Sequence, residues 1–182
     1  MEKKVTFGSL IKYGLLLGIS LIVIRLIKIY LGNFVEQDIS LAFMLLEAAV
    51  YVFFIYCAIR FAVKYIYATN YSFAKGVKVA LFIGLMAAIL LTIYQYIEMK
   101  FIIPEVYQEQ IEAAIEQAME KVSADMEDAV RSMSSKMAVI GAMIGTFLLP
   151  LLISLLASFF IAPFFKKRQI INSEESSSLD NQ

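Results

Sequence analysis

Two charged residues stand inside long apolar runs of the chain, where an isolated charge is costly. Arg25 interrupts the first run and Glu47 interrupts the second. If the two runs cross a bilayer as antiparallel neighbours, Arg25 lies roughly 9 Å and Glu47 roughly 12 Å from the same end, at about 1.5 Å per residue. A charge at mid-bilayer costs about 2.5–3.5 kcal/mol on insertion scales, so it generally has a partner. We expect an Arg25–Glu47 ion pair, which either sets the rotation of the two helices or belongs to a transport or proton-relay path.

A second group of charges lies in the stretch "IEAAIEQAMEKVSADMEDAVRSM", residues 111–133. The segment 98–136 that contains it has nine acidic and four basic residues. Carboxylates at this density could bind divalent cations, but a calcium loop needs a glycine turn and residues 111–133 contain no glycine. The favoured interpretation is a solvated helix face, with no bound metal.

The other face of this acidic helix carries an apolar stripe. Its residues recur at steps of three and four, the spacing of one helix face; they are Ile111, Ile115, Ala118, Val122, Met126, Ala129 and Met133. Because anionic head groups repel an acidic helix, we expect a helix over 105–135 that stands outside the bilayer. Its stripe faces a second copy of the chain, another protein or the end of the helix bundle, unless the helix only connects two spans.

The elements that position these residues follow from composition. The chain is 60% hydrophobic with a mean hydropathy of +0.75, against about 45–50% apolar residues in soluble domains. The apolar residues collect in runs of the length that crosses a bilayer, roughly 20 residues. The runs cover 10–31, 39–60, 76–97 and 137–165. We predict an all-α polytopic membrane protein whose four transmembrane helices form one domain, 1–168, with an extracytoplasmic amphipathic helical hairpin between helices 3 and 4. A Ser-rich tail, 169–182, is predicted to be disordered and cytoplasmic.

Basic residues predict the orientation of the four spans. Lysines and arginines flank the start of the first span, the loop between spans two and three, and the end of span four, whereas the other two loops are not basic. Since basic flanks stay in the cytoplasm, we expect an inner-membrane, multi-pass protein with both termini cytoplasmic.

Small residues recur every four positions in three of the spans. Such stripes let helix backbones approach closely in lipid. They comprise Gly14 and Gly18, then Gly76, Ala80, Gly84 and Ala88, then Gly141 and Gly145. We expect packing within the four-helix bundle, with dimerisation through one stripe as the alternative.

Enzymatic chemistry is not indicated. The chain has no histidine, which excludes a Ser–His–Asp triad and the zinc-protease motif. Phosphate-binding loops and CxxC pairs are also absent, and the single cysteine cannot form an intrachain disulfide. Sixteen basic and sixteen acidic residues balance, so net charge does not suggest nucleic acid binding. We expect neither an enzyme nor a cofactor.

Three segments resemble a known family. They are "YSFAKGVKVALFIGLMAAILLTIYQYI", "FIIPEVYQEQIEAAIEQAMEK" and the glycine-bearing last span that ends in "FFKKR". Together they resemble short four-span membrane proteins, mostly from Bacteroidota, that are grouped as a domain of unknown function, over about residues 5–168. The resemblance implies no catalytic residues.

These observations lead to two hypotheses about function. The first is a non-enzymatic accessory or interaction protein of the cell envelope, which binds itself or another membrane protein through the acidic helix and the glycine stripes. The alternative is an oligomeric small transporter or channel subunit with Arg25 and Glu47 near its path.

Overall fold

The computed structural model describes residues 7–32, 39–67, 70–119 and 127–179, and every regular element in these ranges is helical. The prediction of an all-α protein is therefore confirmed. Four helices are long and apolar enough to cross a membrane. These candidate spans are Gly8–Leu31, Leu41–Tyr67, Phe73–Ile102 and Met137–Phe165.

Five α-helices follow one another along the described chain. They are α1 (Ile11–Gly32), α2 (Ile39–Ala62), α3 (Phe73–Ile97), α4 (Pro104–Met119) and α5 (Glu127–Leu179). A 3₁₀ turn, Phe7–Leu10, precedes α1, and wider π-helical turns continue α2 over Val63–Tyr67 and α3 over Glu98–Ile102. The π turns lengthen the second and third spans beyond the ends expected from hydropathy.

Local residue chemistry explains where α3 and α4 begin. The backbone N–H groups of Lys75 and Gly76 donate to the carbonyl oxygen of Ser72 at 3.0 and 3.1 Å. The Lys75 N–H also lies 3.4 Å from the Ser72 hydroxyl, so Ser72 caps α3. Pro104 is the first residue of α4, the helical position where proline loses no hydrogen bond.

The last helix is longer than expected. It passes through Pro150 and Pro163, and its backbone stays helical to Leu179, where the sequence predicted a disordered tail. No glycine or proline follows Pro163, so no residue type in that segment breaks a helix.

The acidic segment forms two helices in the described chain. The first is α4, and the second is the start of α5 at Glu127. Residues 120–126, which include Val122 and Met126, lie outside the described residues. A single helix over 105–135 and its position outside the membrane therefore stay predictions.

The chain divides into two compact units, Met1–Leu90 with Pro150–Gln182, and Leu91–Leu149. The first unit has an apolar core in which Leu17, Leu21, Ile55, Ile59 and Ile83 are buried. These side chains come from α1, α2 and α3, so packing among three helices forms the core.

Glycines bring α1 against α3 in this first unit. A Cβ added at Gly14 would lie 2.5 Å from the Cβ of Met86 and 3.1 Å from the carbonyl oxygen of Ile83. A Cβ added at Gly18 would lie 2.8 Å from Cδ1 of Leu90. These distances are shorter than van der Waals contact, about 3.5–4.0 Å between carbon atoms. The two glycines are therefore what lets the helices approach this closely.

Another close contact joins α3 to α5. A Cβ added at Gly84 would lie 2.7 Å from the Cβ of Ser154 and 3.1 Å from the carbonyl oxygen of Pro150. Ala80 and Ala88, one turn on either side, are fully buried. This stripe of small residues is the surface of α3 against which α5 packs.

Gly76 has a different role, because it makes room for Tyr71. A Cβ at Gly76 would clash with the Tyr71 hydroxyl and would lie 2.7 Å from the Cβ of Ala162. The Tyr71 hydroxyl donates a buried hydrogen bond to the Ala162 carbonyl oxygen at 3.3 Å. Burial, together with nearby Tyr67, raises the pKa of Tyr71 to about 12. The connection before α3 is thereby tied to α5.

Gly141 and Gly145 differ from the glycines of α1 and α3, and their packing within the bundle stays a prediction. No atom of the described residues lies within 4 Å of a Cβ added at either glycine. The GxxxG spacing in α5 is the same as in α1, but of these two pairs only the α1 glycines have a close neighbour in the described part of the chain.

We predict that Gly84→Ala lowers the free energy of unfolding by about 1–3 kcal/mol, because the new methyl overpacks the contact with α5. Gly141→Ala is the matched control. It meets open space and gains helix propensity of roughly 0.5–1 kcal/mol. Thermal unfolding in mild detergent measures both variants, and equal melting midpoints would show that the α3–α5 contact is not close.

We also predict that Tyr71→Phe destabilises the protein by about 1 kcal/mol below pH 10, because a buried hydrogen bond is lost. The pKa of Tyr71 is raised from about 10 when unfolded to about 12 when folded. The stability that depends on this group is therefore complete below pH 10 and is lost as pH rises towards 12. Thermal melts across this range should show the wild type and the variant converging. A constant gap between them would contradict the assignment.

Candidate functional site

The structure places the two charges of the apolar runs around one buried side chain. Arg25 on α1 and Glu47 on α2 are both half-buried. Tyr51, one turn after Glu47, is buried, and both charged groups act on it electrostatically. The two predicted partners thus share a neighbour within the first compact unit, while their direct ion pair stays a prediction.

A polar cluster that the sequence did not indicate lies in the second compact unit. It consists of Gln95 at the end of α3, Glu98 on the following π turn, Tyr107 on α4 and Thr146 on α5. We call these four residues the Glu98 cluster. Gln95 and Glu98 are each only 6% exposed.

Side-chain hydrogen bonds connect the cluster. The Gln95 amide nitrogen donates to the Tyr107 hydroxyl at 2.5 Å, and that hydroxyl donates to a Glu98 carboxylate oxygen at 3.5 Å. The Thr146 hydroxyl donates to the Gln95 amide oxygen at 3.5 Å. One tyrosine therefore links an amide and a carboxyl group, and the amide links that pair to α5.

The backbone that carries Glu98 explains how these groups meet. The N–H of Ile103 donates to the Glu98 carbonyl oxygen at 3.1 Å, which is the i to i+5 bond of a π turn. This wider turn ends at Ile103, and Pro104 then begins α4. Tyr107 follows within the first turn of α4, close enough to reach back to Glu98.

Burial explains why the cluster needs these bonds. Moving a carboxyl or amide group out of water costs free energy unless the group forms hydrogen bonds in its new surroundings. One carboxyl, one amide and two hydroxyl groups can carry a proton or orient a small polar ligand. No group of three or more His, Cys, Asp or Glu residues that could hold a metal ion occurs in the described part of the chain.

Sequence reasoning missed this cluster for an identifiable reason. Glu98 was counted with the solvated acids of the outer segment, although it lies next to the apolar third span. Gln95 and Glu98 are three residues apart, so they share one helix face. Two polar residues on one face, followed by a proline, were the available signal.

Only part of the predicted partner-facing stripe can be placed. Ile111 is half-buried on α4. Ile115 and Ala118 lie on the α4 backbone, and Ala129 and Met133 lie on the α5 backbone; their side chains lie outside the described set. The role of this stripe stays a prediction.

The open glycines of α5 lie on an exposed apolar face. Gly141 and Gly145 are exposed, as are Met137, Ile144 and Leu148 near them on the helix. We call these five residues the α5 face. Within an apolar 18-residue stretch of the Met137–Phe165 span only 11% is buried, compared with 44% in the corresponding stretch of the Phe73–Ile102 span. The last span therefore leaves most of its surface uncovered by the described residues.

We predict that Tyr107→Phe loosens the second compact unit, because it removes the hydroxyl that joins Gln95 to Glu98. The expected loss is about 1–3 kcal/mol for a buried polar group left without its bond. Backbone amides of α4 should exchange with deuterium faster. The control is Tyr96→Phe, which removes an exposed tyrosine hydroxyl one residue from Gln95. If both variants exchange alike, the Glu98 cluster does not hold α4.

Comparison with known proteins places most of the chain in a family. The family model described as "Protein of unknown function (DUF4199)" matches residues 12–167. This bears out the expected resemblance to a domain of unknown function. No curated protein and no solved structure matches the chain.

Proposed function

The chain belongs to the DUF4199 family of unknown function, and we propose that it is a non-enzymatic accessory protein of the cell envelope. In this proposal it is a multi-pass inner-membrane protein that binds a transmembrane helix of another envelope protein. The α5 face is the binding surface.

The observation that carries this proposal is the open space at Gly141 and Gly145. At Gly14, Gly18 and Gly84, by contrast, an added Cβ would clash with a neighbouring helix of the same chain. Two glycines four residues apart on an exposed helix surface are the pattern that one helix contributes to a close helix–helix contact in lipid.

The physical reason lies in how helices associate in lipid. Lipid tails are as apolar as leucine, so apolar side chains alone do not drive association there. Close van der Waals packing does, and small residues permit it. The α5 face combines two glycines with flanking Ile144 and Leu148, which would form the walls of the seam.

The orientation of the chain belongs to the same proposal. We place both termini in the cytoplasm because basic residues flank the spans on that side. The acidic α4 segment then lies outside, where its charge favours a position away from anionic lipid. It would form a second contact with the extracytoplasmic part of the same partner.

A second candidate is the oligomeric transporter or channel subunit. The specific observation in its favour is the set of polar groups within or beside the spans, namely the Glu98 cluster and the pair Arg25 and Glu47. Ionisable groups inside a membrane frequently mark ion or proton paths.

The test is crosslinking in native membranes, followed by extraction in mild detergent and mass spectrometry of the captured proteins. Gly141→Leu with Gly145→Leu should reduce the yield of one specific partner at least fivefold. Overpacking an interface costs about 1–3 kcal/mol, and 1.4 kcal/mol is a tenfold change in affinity. A Cβ at either position meets no other described atom within 4 Å, so we expect the double variant to fold, and its melting midpoint in mild detergent checks this.

The matched control is Ala48→Leu, which adds a similar side chain to an exposed position of α2. It should leave partner capture unchanged. Equal capture by the double glycine variant and the wild type would refute the α5 face as the binding surface. Crosslinks to other copies of the chain alone, with no second protein, would favour the oligomeric candidate.

A further inference from the structure

An apolar groove lies between α2 and the part of α5 at the end of the last candidate span, within the first compact unit. It has a volume of about 500 Å³ and is lined by Tyr56, Ile161, Phe164 and Phe165. Binding pockets for small molecules span roughly 300–1,000 Å³, so the groove can hold a ligand. The rings of Tyr56 and Phe165 form one wall, with their centroids 5.4 Å apart.

The surroundings of the groove restrict what can fill it. All four lining residues lie within two candidate membrane spans, Leu41–Tyr67 and Met137–Phe165. Phe164 is 76% exposed, which means that the groove opens towards the surrounding medium. In a bilayer this medium is hydrocarbon, so an acyl chain of a lipid is the available apolar occupant.

Basic residues follow the groove on both helices. Arg60 lies one turn beyond Tyr56 on α2, on the same helix face, and it is exposed. On the other side of the groove, α5 runs from Phe165 directly into the sequence Lys166, Lys167 and Arg168. Both helices that border the groove therefore become basic where it ends.

Two other basic residues at this end, Lys12 and Lys64, contact aromatic rings. The Lys12 ammonium lies 4.9 Å from the ring centroid of Phe61, and the Lys64 ammonium lies 5.0 Å from that of Tyr65. Both cations thus rest over aromatic rings. Arg60 is the basic residue one turn after the lining residue Tyr56 on α2.

From these observations we propose that the groove is a binding site for an anionic phospholipid. One acyl chain fills the space between Tyr56, Ile161 and Phe164, and the phosphate of the head group pairs with Arg60. A guanidinium group binds phosphate through two parallel hydrogen bonds, which suits Arg60 to this role. The proposal goes beyond the accessory function, because it needs no protein partner.

The experiment uses the absence of tryptophan from the chain. Phe164→Trp places a single fluorescent reporter at the exposed edge of the groove. The purified full-length variant is mixed with micelles that contain phosphatidylglycerol or phosphatidylcholine, each with brominated acyl chains that quench tryptophan on contact. Phosphatidylglycerol should quench at about fivefold lower mole fraction, which corresponds to roughly 1 kcal/mol per basic side chain at an anionic surface. The preference should weaken at high salt.

Two variants in the Phe164→Trp background separate the site from general attraction. Arg60→Gln should remove the preference for phosphatidylglycerol and leave quenching by phosphatidylcholine unchanged. Lys12→Gln removes the same charge from the start of α1, beside the end of α2, and should keep the preference. Equal quenching by the two lipids without either substitution would overturn the proposal. So would an equal loss of preference in both variants, because that result would mean a diffuse surface charge.

Discussion

Close backbone contact along α3 is the interaction on which the first compact unit depends. Leucine and isoleucine side chains gain nothing by leaving lipid for a protein interior of the same polarity. Dispersion between well-fitted surfaces must supply the attraction, and it falls steeply once a gap opens. Gly14 on α1 and Gly84 on α3 remove the side chains that would otherwise hold the helices apart. The buried core of leucines and isoleucines forms because these contacts bring the helices within reach of each other.

The second compact unit uses a different kind of interaction. Its helix α4 is amphipathic and rich in glutamate, so apolar residues cover only one of its faces. Hydrogen bonds of the Glu98 cluster connect α4 to the end of α3 instead, with Tyr107 as the link. Directional bonds of this kind fix a position, which close packing alone does not achieve for a polar helix. Each unit is thus stabilised by the interaction that its own composition allows.

Hydropathy was sufficient to predict the helical class and the number of spans, because each run is long and nearly free of charge. Spacing could not tell Gly84 from Gly141, since the same four-residue repeat occurs whether or not another helix lies opposite. Glu98 was predicted to be solvated because it begins the acidic segment that follows the apolar third span. In the structure it lies on the π turn and is buried, and the sequence did not indicate this turn. The tail 169–182 was expected to be disordered from its serines, whereas the helical backbone continues to Leu179 in a segment without glycine or proline. Periodicity therefore predicts the helices, but it does not predict which residues pack against each helix face.

The lengths of the spans have a consequence for the membrane itself. The apolar stretch Met137–Phe165 has 29 residues, roughly 44 Å at about 1.5 Å per residue, whereas a typical hydrocarbon core is about 30 Å thick. Such a positive hydrophobic mismatch is relieved by tilting, by bending at Pro150 or by local thickening of the bilayer, each at a modest cost per ångström. The chain should therefore favour thicker membranes, and lipid chain length becomes a variable that tunes its tilt.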